Sequence, residues 1–197
     1  MKRMSGEARR RQIVEAAVEA MLRRGLSQAA TRDVTQAIGV GAGLLHHYFP
    51  SWAELRAEAV RAAAEAEIAE VAAFVRDPSA SEALDRLAAW MVEDDDMRHW
   101  RLWLDAQEEA HRDDRLAEVM RDAMAAWRAL VEALLVRLGE EGGRTVAKPG
   151  AASRRLCALM DGLAGAMLVK GGDTTPAAAL ELLRGQIALE TGAGAEG

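Results

Sequence analysis

TRDVTQAIGVGAGLLHHYFPSWAEL, from Thr31 to Leu55, is the stretch whose reading decides the fold. Val34 and Ile38, four residues apart, give a short helix one apolar side, and Thr31 stands where a hydroxyl can cap its first turn. Gly39 supplies a permissive backbone for a tight turn. Val40 then plugs a small core, and Gly41 to Tyr48 forms a second short helix anchored by Leu45 and Phe49. Two short helices joined this way make a helix-turn-helix, whose second helix suits the DNA major groove. The outward side of that helix carries Ala42, Gly43, Leu44, His46, His47 and Tyr48, a face short of the Arg, Asn and Gln side chains that make bidentate base contacts. Base readout then falls to close backbone approach at the glycines, to thymine-methyl contact by Ala42 or Leu44, and to Arg32.

Working outward, Ser5 caps a first helix to about Arg24, with Ile13, Val14, Ala17, Met21 and Leu22 on one stripe and Gly25 ending it. Arg9, Arg10 and Arg11 near its start either reach a phosphate backbone or form a solvated face. On the other side, Ser51 and Glu54 make a capping box that opens a long fourth helix to about Val75, a lever of well over 30 Å at ~1.5 Å per residue. A second box, Ser79 to Glu82, opens a fifth helix to about Met91. The acidic run Glu93 to Asp96 begins a sixth to about His111, Asp113 or Asp114 caps a seventh to about Leu138, and residues 139–150 read as a loop. An eighth helix runs to about Lys170, and Thr175-Pro176 opens a ninth. No strand pattern appears, so the expected fold is all-α with about nine helices. It divides into a helix-turn-helix domain over 1–52, a helical ligand-binding and dimerisation domain over 53–190, and a disordered tail over 191–197.

The 197-residue chain carries a net charge of −6, which alone argues against nucleic acid, yet residues 1–50 sum to +4 and the remainder to −10. A basic head on an acidic body offers one end to phosphates, with Lys2 and Arg3 expected to add to the salt dependence of DNA binding. A single cysteine, Cys157, rules out an intrachain disulfide, and no apolar run is long enough for a membrane span, so the expected setting is cytoplasmic.

The pattern RRxIVxAAxxxxxxxG from Arg10 to Gly25, then Thr31-Arg32, then IGVGxGLLHHYFPS from Ile38 to Ser51, resembles the N-terminal domain of the TetR family of transcriptional repressors. The resemblance covers about the first 55 residues and implies that Thr31, His46, His47 and Tyr48 contact phosphates or base edges while Arg32, Ala42, Gly43 and Leu44 approach bases, with Ser51 on the same surface. Three positions depart from the family pattern: Leu44 replaces a threonine, His46 a tyrosine, and Trp52 a basic residue. The implied function is a DNA-binding repressor that holds a palindromic operator as a homodimer and is released by a small molecule. The implied partners are double-stranded DNA, a second copy of the chain and an apolar or cationic effector, with no cofactor and no membrane.

In the body, Trp90, Trp100, Trp103, Met120, Met124 and Trp127 make either a plain core or an adaptable cavity, with Asp161 or Glu108 as polar partners. The tryptophan-rich sixth helix and Leu159 to Leu168 are similar to the C-terminal domain of choline-responsive betaine-pathway repressors. The eighth helix is apolar on several faces and rich in small residues. It offers Leu156, Leu159, Leu163 and Met167, with Leu180, Leu183 and Ile187 of the ninth helix, for a four-helix dimer interface. Two other classes compete. Glu108 to His111 has the E-x-x-H spacing of di-metal helical bundles, but the further glutamates such a site needs are not identifiable, so no metal site and no enzyme is expected. A helical interaction protein without DNA binding is the other.

Overall fold

The computed structural model describes residues 5–93, 96–142 and 146–192. Lys2 and Arg3, two aspartates of the acidic run at 94 and 95, and the tail beyond Gly192 lie outside them. Among the described residues there are nine α-helices and no strand: α1 (Gly6–Arg24), α2 (Thr31–Ile38), α3 (Ala42–Tyr48), α4 (Trp52–Phe74), α5 (Ala80–Val92), α6 (Arg98–Glu109), α7 (Asp114–Gly142), α8 (Pro149–Leu168) and α9 (Pro176–Thr191).

Most boundaries follow from local capping chemistry. Ser5 accepts the Ala8 N–H at 3.2 Å, Ser51 that of Glu54 at 3.2 Å, Ser79 that of Glu82 at 3.3 Å and Thr175 that of Ala178 at 3.2 Å. Asp113 Oδ1 accepts from Arg115 and Leu116 at the start of α7. Two expectations are corrected. The cap of α2 is Ala30, not Thr31; its own N–H donates to Asp33 Oδ2 at 2.9 Å, so the start of the helix is held by the back-reaching carboxylate half of a capping box, with no capping hydroxyl. The seventh helix runs on through Gly139 to Gly142 instead of opening a loop there, because a single glycine inside a helix costs only ~1 kcal/mol.

The chain packs as two compact units. The head comprises the described residues up to Ala66 together with Arg101–Ala123, so by packing it extends past residue 52. Its core gathers Ile13, Met21 and Leu26 around α1, Val34 of α2, Leu45 and Phe49 from α3 and its end, Leu55 and Ala59 of α4, and Leu102, Ala106, Leu116 and Met120 from α6 and α7. Arg56 ties α4 to the α6–α7 turn, 2.7 Å from Asp113 and 3.5 Å from Glu109. Burial works to raise the Asp113 carboxyl, but the Arg56 hydrogen bond, the Leu116 and Arg115 N–H groups and the Arg56 charge outweigh it and leave Asp113 below its ordinary value.

The body comprises the described residues of Glu67–Trp100 and those from Met124 to Gly192. Here α5, α8 and α9 pack on one another, burying Leu84, Leu87, Met91, Leu156, Met160 and Leu183. Arg137 donates to the carbonyls of Val75, Arg76 and Pro78, closing off the end of α4 with a cation where the helix dipole is negative. Glu141 accepts the Ala80 N–H at 2.6 Å and does the opposite service at the start of α5.

Candidate DNA-reading face and effector cavity

The head positions its reading helix through three backbone devices. Gly25 at φ 87° ends α1, its N–H bonded to Met21 O, and turns the chain toward α2. Gly39 at φ 65° is left-handed, a conformation that disfavours any side chain, and its N–H returns to Thr35 O. Leu45, fully buried, and Phe49, 2% exposed, then pin α3 from one side only. Seven residues make about two turns, so a single buried side facing the core leaves the other to solvent.

On that open side stand Ala42, Gly43, His46 and His47, all exposed, and Leu44 at 38% exposure. A β-carbon built at Gly41 or Gly43 would meet nothing within 4 Å. The fold itself therefore does not require glycine at either place. Arg32 on α2 is exposed, and its guanidinium has no ion-pair partner among the described residues. Thr31, freed from capping, is half-buried. Tyr48 is half-buried with its ring edge-on to His47 at 5.2 Å, and a β-carbon on Gly6 would lie 3.9 Å from its hydroxyl. Ser51 spends an acceptor on the Glu54 N–H, which leaves its O–H proton to donate.

The arginine run of α1 resolves residue by residue. Arg10 is held 2.7 Å from Glu58 with its guanidinium 4.7 Å over the Phe49 ring, so it braces the head. Arg9 donates to Gln12 at 2.7 Å, and Arg11 makes only a loose 3.9 Å pair with Glu15. Asp33 is 7% exposed; besides the Ala30 N–H it takes Arg24 at 3.1 Å, locking the start of α2 to the end of α1.

In the body the tryptophans divide. Trp90 lies 6.3 Å from Trp100, tilted by 53°, and 5.4 Å from Trp127, tilted by 33°. The Trp100 indole N–H donates to Met91 O at 3.0 Å. Trp90 and Trp100 line a cavity of about 270 Å³ together with Glu67, Glu70, Glu93 and His99, whose Nδ1 is 3.5 Å from Glu67. Met124 and Asp161 belong to the body but do not line this cavity. Trp103 and Met120 pack in the head core, so they are not brought together with the other tryptophans. The three glutamates were missed in the sequence. The signal for two of them is their spacing, Glu67 and Glu70 being three apart on one side of a helix.

Of the leucines expected at a subunit interface, Leu156, Leu163 and Leu183 are 2%, 7% and 1% exposed and serve the body's own core. Leu159, Met167, Leu180 and Ile187 are half-buried. The exposed apolar side of α9 is instead Leu182 at 56% and Leu189 at 72%, with Gly185 between them. Glu108 is engaged with Arg112 at 2.8 Å.

A helix-turn-helix head with an open reading helix, carried with a separate helical body, defines a DNA-binding protein of the helix-turn-helix class. Residues 13–59 match the family described as bacterial regulatory proteins, tetR family, and residues 80–191 match the BetI-type transcriptional repressor, C-terminal family. The HTH-type transcriptional regulator PksA of Bacillus subtilis (strain 168) is 28% identical over 169 residues, covering 83% of this chain and 80% of that protein. A transcriptional regulator from Saccharomonospora viridis, solved in complex with choline, superposes with a TM-score of 0.80 at 22% identity, covering 92% of this chain and 96% of that one. A transcriptional regulator from Pseudomonas aeruginosa PAO1 gives 0.77 at 23% identity, covering 97% and 94%. The chain belongs to the TetR family of transcriptional regulators, with a BetI-like C-terminal half; it is a regulator and not an enzyme. No helix among the described residues is long and apolar enough to cross a membrane.

Proposed function

We propose that the protein is a repressor that binds a palindromic operator as a homodimer and lets it go when a small molecule occupies the body. The observation that carries this reading is the pairing of a short recognition helix, open along its whole outward side, with an exposed apolar stripe on α9. One recognition helix of seven residues reads only a few base pairs. Two of them, set about 34 Å apart by a two-fold axis, read enough to be specific. Leu182, Gly185 and Leu189 fall on one side of α9, and Ala158 and Gly162 of α8 are exposed and small, a surface suited to a second copy of itself. The contacts assigned to DNA are Thr31, Arg32, Ala42, Gly43, Leu44, His46, His47, Tyr48 and Ser51.

Release by a ligand is supported by the cavity at Trp90 and Trp100 and by the choline held by the Saccharomonospora viridis regulator. Helix α6 bears both ends of the linkage. His99 and Trp100 line the cavity, whereas Leu102 and Ala106 are buried in the head core and Asp105 accepts the Leu26 N–H at 3.3 Å. A ligand that prefers one placement of α6 shifts operator affinity by its differential affinity for the two states.

The test is selection of duplexes from a random pool by the purified protein, with sedimentation of the protein alone and of Leu182→Glu. An inverted repeat with half-sites one helical turn or a multiple apart is expected, with a dimer that Leu182→Glu splits. A monomer that binds one half-site as tightly as the wild type binds its selected sequence would sink the proposal.

A further inference from the structure

We infer that the cavity lined by Trp90 and Trp100 takes a linear amine bearing two or more positive charges. The inference deepens the proposed function, resting on the reading that the body binds an effector, and names the chemistry of that effector. Three carboxylates line the cavity, Glu67 and Glu70 from α4 and Glu93 from the end of α5. Among the described lining residues the only basic group is His99, and its Nδ1 stands 3.5 Å from Glu67. The described lining residues therefore carry a formal charge of −3 with a neutral imidazole and −2 with a protonated one. A single quaternary ammonium leaves at least one carboxylate of the lining without a counter-charge. A chain with spaced ammonium groups neutralises them one by one.

Two further observations select an extended ligand over a compact cation. Among the described residues no group of three or more His, Cys, Asp or Glu side chains is arranged to hold a metal ion, so these carboxylates do not converge on one point. The same cavity is lined by two indoles, their ring centres 6.3 Å apart and tilted by 53°, which add apolar surface for a methylene chain and π-density for a cation. The volume, about 270 Å³, holds about nine water-sized atoms at ~30 Å³ each, which is the size of a short di- or triamine. Glu70 and Glu93 are exposed while the Glu67 side chain is largely covered, at 21% exposure, so a long cation can enter end-first past Glu70 and Glu93 without unfolding the wall.

Calorimetric titration of the full chain, without DNA, with spermidine, putrescine, choline and glycerol tests this. Spermidine should bind one site per chain, about tenfold tighter than choline, with glycerol silent. Glu70→Gln and Glu93→Gln, both at exposed positions that fold without them, should each weaken spermidine about two- to fivefold while choline changes less, at unchanged melting temperature. Equal affinity for choline and spermidine overturns the inference. So does an affinity for spermidine that neither variant alters, or several weak equivalents per chain, the behaviour of counterions on an acidic surface. One-site spermidine binding that leaves the selected operator bound supports the cavity assignment while refuting release by this ligand. A chain released from its operator by a neutral compound, and indifferent to every amine, refutes the inference and leaves the repressor reading standing.

Discussion

Replacing Asp33 separates what holds the reading helix in place from what touches DNA. The carboxylate is 7% exposed and has two duties, accepting the Ala30 N–H at 2.9 Å and pairing with Arg24 at 3.1 Å. Asp33→Ala removes the only side-chain acceptor at the start of α2, a loss of about 1 kcal/mol. The Arg24 side chain is 44% exposed, so its lost partner adds no more than about 0.5 kcal/mol after solvent screening. The sum is about 1.5 kcal/mol, whereas Asp33→Asn keeps an oxygen toward Ala30 and forfeits only the charge, about 0.5 kcal/mol. For a chain of this length, with about 2–4 °C per kcal/mol, the alanine variant should melt about 3–6 °C lower and the asparagine variant less than about 2 °C lower. Circular dichroism melts give the shift, and hydrogen exchange at the α2 amides locates it. Operator affinity at 25 °C should stay within about twofold for both, because the side chain is buried. Equal destabilisation by Asn and Ala would refute the capping assignment. A large loss of DNA affinity at unchanged melting temperature would refute the structural role altogether.

Three other outcomes are expected. Arg32→Ala should relax base preference at particular operator positions by about 1–3 kcal/mol, read from binding to single-base variants of the selected sequence; a uniform loss across all variants would make Arg32 a phosphate contact. The Cys157 thiol is pushed up to about 11, by burial first and then by the Asp161 carboxylate. It should therefore react with thiol reagents at neutral pH orders of magnitude more slowly in the native protein than in urea, and comparable rates would contradict its placement. Asp113 is held below its ordinary value, and so is Glu190, first by its hydrogen bond from Arg155 and then, against the opposing effect of burial, by Gln186 and the Arg155 charge. A lowered native carboxyl stabilises fully above the unfolded-state range, about pH 4, and that stabilisation is lost as pH falls through the native value. Denaturant midpoints should thus drop below pH 4, with a shallower slope in Asp113→Asn.

What could be read from the chain was what is settled within four residues. The caps at Ser5, Ser51, Ser79, Asp113 and Thr175 announce themselves because donor and acceptor sit in one turn, and the head motif is dense enough to fix order and spacing across three helices. The start of α2 misled because Asp33 caps from inside the helix and the hydroxyl of Thr31 is idle. The tryptophans misled for another reason. Trp100 and Trp103 are three apart in one helix, yet one lines a cavity of the body and the other packs on the head core, a division set by which helices come to lie against α6. The same distance effect hid Glu93 from Glu67, and it put Leu182 rather than Leu183 on the outside of α9.

The empty space around Gly41 and Gly43 has a consequence for how such a reader changes over time. A side chain added there meets no neighbour within 4 Å, and at Gly43, inside the helix, replacing glycine removes a penalty of up to ~1 kcal/mol. On the proposed reading of this face, new operator preferences can arise by single substitutions on a scaffold that does not have to be repaired afterwards. The interior of the head is packed while this stretch of its surface is open, so residue type can change at the surface at no cost to the core.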